Sequence, residues 1–184
     1  MALLSLRFYP DEVLRKRCEP VTAFGPELAR FVEDLFETMY AENGIGLASN
    51  QVGVSQRVLV MDVPSERPPG SKEPLVPNRR ALINPEILSK TGQQSYDEGC
   101  LSFPTLSASV KRAQEVKVRF QRVDGAWEEA TFTGLESVCF QHEHDHLEGI
   151  TFVDYLSPLK RRLLLRDLRK FLSERGIEPA PANA

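Results

Sequence analysis

All three histidines of the 184-residue chain fall in the run QHEHDH at 141–146. His142 and His146 are four apart, one turn of a helix, so both imidazoles can reach a single ion. Glu143 sits about 100° round the helix from His142 and can approach a water on that ion without ligating it. His144 points roughly the other way and is not expected to be a ligand. Leu135, Val138 and Cys139 share a face with His142 and His146, so the HExxH helix should be amphipathic and bury that pair. Buried imidazoles want partners, and a metal is one; plain packing is the alternative.

A third ligand is needed, and the chain has three cysteines, Cys18, Cys100 and Cys139. Cys139 precedes His146 by a helical rise of about 10.5 Å, too far for one ion with bonds of about 2.0–2.3 Å. Cys18 lies in a basic, extended segment. Cys100 stands in DEGCLSFP, read as a small-residue turn in which Gly99 lets the backbone approach closely. Cys100 is the favoured ligand, with a buried structural thiol as the competing reading. Three protein ligands leave a position for water, as catalytic sites do. Glu143 can take that water's proton and return it to a leaving amine. A thiolate with two neutral imidazoles makes a soft site open to Fe(II), Zn(II), Co(II) or Ni(II).

These residues must be positioned by ordinary elements. A first helix is expected over residues 26–42, with Pro26 at its first position, Leu28, Phe31, Val32, Leu35 and Met39 on one face, and Asn43-Gly44 as the stop. A Gly-rich stretch at 44–51 and a strand at 57–63 follow. Residues 64–80 are rich in proline and charge and read as a loop. Strands are expected at 81–88, 115–122 and 127–133, the last two joined by a hairpin at Asp124-Gly125. The metal helix should span 135–148 and stop at Gly149. The last helix begins at Ser157-Pro158, with Leu159, Leu163, Leu164, Leu168, Phe171 and Leu172 as its apolar stripe. The expected fold is α+β: antiparallel sheets packed around the central HExxH helix, with an N-terminal and a C-terminal helix.

One domain over residues 1–178 with a frayed tail at 179–184 suits the length. The net charge of -3 argues against nucleic acid as the main partner. An odd, small number of cysteines fits a reducing compartment. The N-terminus reads as neither a signal nor a transit peptide, and no apolar run approaches membrane-spanning length. A cytoplasmic protein without a membrane partner is expected.

Three separated motifs, GIGLASNQ at 44–51, EGCLS at 98–102 and QHEHDHLEG at 141–149, together resemble peptide deformylase. The flanks YPDEVLRKRCEPV, INPEI and FVDYLSPLKRR resemble it too, so the likeness covers roughly residues 4–175. The resemblance implies removal of the N-formyl group from N-formylmethionyl peptides, with release of formate. It implies Cys100, His142 and His146 as ligands, Fe(II) as the cellular ion with Zn(II), Ni(II) or Co(II) replacing it, and Glu143 as general acid/base. Gln51 and the backbone N–H of Leu101 would stabilise the oxyanion. Ile45, Tyr96, Leu135, Val138 and Cys139 would line the methionine pocket, with ordinary core as the alternative. Gly44 and Gly46 would let substrate backbone pair with the loop strand, and Glu98 and Gly99 would lie beside it. Asp145 is a candidate partner for a ligand, and Arg112 a candidate partner for Glu98.

There are departures. Ser49-Asn50 stands where Ala-Pro or Ala-Thr is usual, implying a change in loop rigidity. Tyr96 replaces a smaller aliphatic residue, implying a narrower or more polar pocket. The 64–80 loop is longer than in many relatives. The last helix carries Lys160, Arg161, Arg162, Arg166, Arg169, Lys170 and Arg175. A solvated face and ribosome contact are the two readings of that charge. A monomer is expected. The competing functions are a zincin-like endopeptidase, which HExxH alone permits, and a non-catalytic metal or peptide-binding module, which would want a fourth protein ligand.

Overall fold

The computed structural model describes residues 2–64 and 76–177; most of the expected Pro-rich loop and all of the expected frayed tail lie outside that range. Helix α1, Pro26–Ala41, buries Leu28, Val32, Leu35, Phe36 and Met39 on the expected face. Its stop is divided between two residues. Asn43 takes the left-handed conformation, with φ 57°, and the Gly44 N–H donates to Met39 O at 2.8 Å.

Seven strands follow: β1 Gly46–Ala48, β2 Val58–Asp62, β3 Arg79–Thr91, β4 Gln94–Cys100, β5 Phe103–Arg112, β6 Glu115–Gln121 and β7 Trp127–Thr133. Five form an antiparallel sheet in the order β1-β2-β3-β6-β7, and β4 pairs with β5 in a second sheet. Helix α2, Gly134–Leu147, and helix α3, Pro158–Glu174, complete the chain.

Strand β2 shows why the large sheet is covered on both faces. Its side chains alternate, as a pleated strand requires. Val58 and Val60 pack with Val32, Leu35 and Met39 of α1. Leu59 and Met61 pack with Phe140 and Leu147 of α2, joined by Val116, Val118 and Phe132. The metal helix therefore lies on one face of the sheet and α1 on the other. Truncating Phe140, fully buried at this contact, would cost about 3–5 kcal/mol. A third cluster joins Phe103 and Val110 of β5 to Phe152, Val153, Leu168 and Leu172.

Three expectations need correction. The 64–80 loop was drawn too long, because β3 begins at Arg79 and runs on to Thr91. Pro85 sits in β3 where the pairing with β6 shifts between Ile83 and Glu86, a break that removes the need for its missing N–H. DEGCLSFP is not a turn throughout but the end of β4 and the start of β5, with Leu101-Ser102 alone turning between them. In β5 the inward positions are Leu106, Ala108, Val110 and Arg112, so a charged residue ends an otherwise ordinary alternation. Finally, Leu159 and Leu163 of α3 are exposed, and the stripe that packs begins further along, with Leu165, Leu168, Phe171 and Leu172.

Candidate active site

Helix α2 is not amphipathic. Residues Ser137 to His146 are buried apart from His144, polar ones included. Each buried polar group must then find a partner. Gln141 does so on the backbone, its amide donating to Ala113 O and Ser137 O at 3.0 Å and accepting from Ala113 N at 3.1 Å. The helix ends under cover as well. Asn50 Nδ2 donates to His146 O at 2.6 Å and Cys18 N to Leu147 O at 2.8 Å, while Gly149 takes φ 72°. Asn50 and Ser49, the departures in the first motif, thus have work in the fold. Asn50 caps the metal helix and Ser49 Oγ donates to Gln56 O.

The ligating atoms of Cys100, His142 and His146 lie within 4.8 Å of one another. Cys100 Sγ is 3.2 Å from His146 Nε2, and the two rings meet edge-on with centroids 5.0 Å apart. One ion can reach all three. His142 Nδ1 is bound to Glu98 Oε2 at 2.8 Å, which turns its Nε2 to the ligand cluster. Arg112 grips Glu98 with two bonds, 2.6 Å from Nε and 2.9 Å from an Nη, and reaches Asp145 at 2.5 Å with the other. Tyr155 donates to Asp145 at 2.8 Å and offers its ring to the Arg112 guanidinium at 4.7 Å. Burial would raise the Glu98 carboxyl, but the Arg112 and His142 bonds outweigh it and hold the group below the usual range. The expected Arg112–Glu98 pair is present, whereas Asp145 bonds Arg112 and Tyr155 rather than a ligand. Tyr155 had no signal in the sequence, because its role appears only when the turn after α2 folds back on Arg112.

Glu143 is a second buried carboxylate at the ligand cluster. Burial pushes its pKa up to about 7, with Glu98 adding to the rise and His142 opposing it. Its Oε2 is buried and has no hydrogen-bond partner within the protein. An orphaned carboxylate oxygen beside two imidazoles and a thiol is a place for a water or a substrate group. The donor set and this orphan together fit a divalent metal with an open position. Cys139, by contrast, is pushed up by burial and by Glu143, and its Sγ donates to Ile45 O at 3.4 Å. It is a structural thiol, as is Cys18, which is buried within its basic segment. His144 packs on Phe140 and lies 4.0 Å from Glu148, away from the ligands.

Gln51 comes from the 3-10 turn after β1. Its Oε1 accepts from Ala48 N at 2.8 Å, which fixes the amide so that Nε2 points to Cys100 Sγ at 3.5 Å and Ser102 Oγ at 3.3 Å. Gly46 is required for a reason the sequence did not reveal: a Cβ there would stand 2.5 Å from Glu143 Oε1 and 2.8 Å from Cys139 Sγ. Gly44 is crowded by Leu101, whereas a Cβ at Gly99 would meet the protein only at 3.7 Å.

A cleft of about 650 Å³ opens over these atoms. Every site residue expected from the sequence except buried His146 lines it, including Gly44, Leu101, Leu135 and Val138. Val138 and Cys139 are buried at its floor; Ile45 and Tyr96 stand about half exposed. The cleft lies between two sheet edges, β1 of the large sheet and β4 of the small one. Its far wall, Phe171, Arg175 and Ile177 beyond the core of α3, was not foreseen. A second hollow of about 760 Å³ lies by the start of α1. Its arginines, Arg79, Arg80 and Arg122, are each ion-paired, and it holds no ligand set.

Comparison with known proteins agrees with this geometry. The family described as Polypeptide deformylase matches residues 3–162. A peptide deformylase from Legionella pneumophila is 40% identical, with 97% of this chain and 100% of that one covered and a TM-score of 0.85. One from Ehrlichia chaffeensis is 35% identical, with 92% and 97% covered and a TM-score of 0.84. One from Thermotoga maritima is 40% identical, with 86% and 100% covered and a TM-score of 0.77. With its ligand cluster at the floor of an edge-lined cleft, the chain belongs to the polypeptide deformylase family.

Proposed function

We propose that this metal-dependent deformylase acts on N-formylmethionyl peptides with Fe(II) at Cys100, His142 and His146. The observation that carries the reading is the convergence of those three donors beside an unpartnered Glu143 oxygen. A divalent ion there would acidify a water and polarise the formyl carbonyl. The chain's own groups do the rest. Glu143 takes the proton of the water as its oxygen attacks the formyl carbon. The Gln51 amide and the Leu101 N–H face the oxygen that becomes negative. Glu143 then hands the proton to the methionine nitrogen, the C–N bond breaks, and formate leaves.

The methionine side chain lies over Val138 and Cys139, between Ile45, Tyr96 and Leu135. The peptide backbone runs beside Gly44, Gly46, Glu98 and Gly99. Residues 1–178 work as one domain, as a monomer, in the cytoplasm; no described helix is long and apolar enough to cross a membrane. Formate release from formyl-Met-Ala-Ser by anaerobically purified protein, with metal analysis of the same sample, tests reaction and ion together. Cleavage of internal peptide bonds without formate would sink the deformylase reading. Iron-free protein of full activity would sink the Fe(II) assignment.

Ribosome contact is assigned to the exposed basic face of α3. Arg162, Arg166, Arg169 and Lys170 are exposed on that helix, whereas Arg161 is held by Asp154 at 3.1 Å. Reversing Arg162, Arg166 and Arg169 to Glu leaves the packed side of α3 intact. Salt-sensitive co-sedimentation with ribosomes should be lost in that variant; retention equal to wild type would remove the assignment.

A further inference from the structure

The cleft is longer than a methionine pocket. Beyond Leu101 it continues along the start of β5, past Pro104, Thr105 and Leu106, to the C-terminal end of α3. There the wall changes in character. Glu42, Asp97, Glu98 and Glu143 are its acidic members, and among the described residues Arg175 is its one arginine or lysine. The Arg175 guanidinium lies over the Phe171 ring, 4.4 Å from its centroid. The two carboxylates of α3 are engaged elsewhere, Asp167 with Arg166 at 2.9 Å and Glu174 with Lys170 at 3.8 Å. Stacking on Phe171 holds the planar cation in place, and among the described residues no carboxylate takes its edge donors. Beside it, Leu106 and Ile177 give an apolar surface that would take a side-chain stem.

We infer that Arg175 is a specificity-determining residue: it receives a carboxylate carried by the substrate downstream of its formylmethionine. The inference rests on the deformylase reading for the direction of the peptide, out of the ligand cluster and along the cleft. The opposite charges distribute in the same sense. Asp97 and Glu42 would disfavour an acidic side chain close to the methionine, and Arg175 would favour one further out. An extended chain advances about 3.3 Å per residue, so moving one acidic residue along the peptide locates the preferred place. The carboxylate could be an acidic side chain of a long nascent chain or the free C-terminus of a short peptide, and the substrates can tell these apart.

The experiment uses the full-length protein with formyl-Met peptides amidated at their C-terminus. A single Asp, Glu, Ser or Lys is moved through positions two to five. For an exposed ion pair of about 0.2–1 kcal/mol, the best-placed acidic peptide should gain about 1.4- to 5-fold in kcat/KM over its Ser counterpart, mostly through KM. Arg175→Ala should abolish that gain without changing kcat on the Ser peptides, and Arg175→Glu should transfer it to Lys. Added salt should shrink it. If only unamidated short peptides respond to Arg175, the carboxylate it receives is the free C-terminus of a short peptide; if the amidated acidic peptides respond, it is a side chain. Equal acidic preference in wild type and Arg175→Ala, or no response to Arg175 in either the amidated or the unamidated peptides, overturns the inference outright. Binding of deformylated Met peptides of the same series by fluorescence anisotropy gives the same comparison without turnover. Failure of the deformylase reading itself would show separately, as no formate from the Ser peptides.

Discussion

Helices α2 and α3 are both rich in charge and behave in opposite ways. In α2, Glu143, Asp145 and His146 are buried, as are His142 and Gln141. In α3, Leu159 and Leu163 are exposed and Lys160, Arg162 and Arg166 point outward. The difference is not in the helices. It lies in what other elements bring to them. Strands β4 and β5 supply Glu98 and Arg112 to α2, and the following turn supplies Tyr155. Apart from pairs along its own length, α3 draws on Asp154 for one ion pair. Polar burial is therefore a property of a completed network, and breaking single members should separate the two helices sharply.

The largest effect is expected on chemistry. Glu143→Gln keeps the shape of the side chain but cannot shuttle a proton, so kcat should fall by about 10²–10⁴-fold with metal content unchanged. Equal turnover would end its role as acid/base. Next is Arg112→Leu, which strands Glu98 and Asp145 as buried charges. Such a break costs about 3–5 kcal/mol, to be read as a lower midpoint in urea, with weakened metal retention. A smaller effect belongs to His144, whose largely covered ring is desolvated, so that its pKa is lowered to about 4, with Arg57 adding to the fall. The folded state keeps this ring neutral while the unfolded chain protonates near pH 6.5. Its contribution is full above pH 6.5 and is lost as the pH falls toward about 4, up to about 3 kcal/mol in all. Urea titrations across that range should lose this slope in His144→Asn. The smallest effects belong to α3: Arg166→Gln and Leu163→Ser should each shift stability by no more than about 0.5 kcal/mol. A large loss from either would show that α3 is covered in solution by something outside this chain.

The same contrast explains what could be read from the sequence. The histidine spacing, the start of each long helix and the β6–β7 hairpin are local signals, and the structure has them. The apolar pattern of α1 works because its partners are also apolar. The β4–β5 pair was invisible as strands because its inward side chains include Glu98 and Arg112, a pattern that makes sense only after both are paired. Cys100 was one of two open readings until the strand turn brought it to His146. Gly46 carried no mark of the carboxylate it makes room for. Arg175 belonged to a run of basic residues that hid its different position, at the end of a cleft assembled from distant segments.

One consequence of the paired sheet edges concerns time. A cleft whose walls are the open borders of β1 and β4 can grip only a chain whose leading backbone amides are still unclaimed. A protein that has already tucked its first residues into its own sheet or helix has nothing to offer those borders. The enzyme must then outpace its substrate's folding, and a slow encounter would leave the formyl group sealed in the finished product.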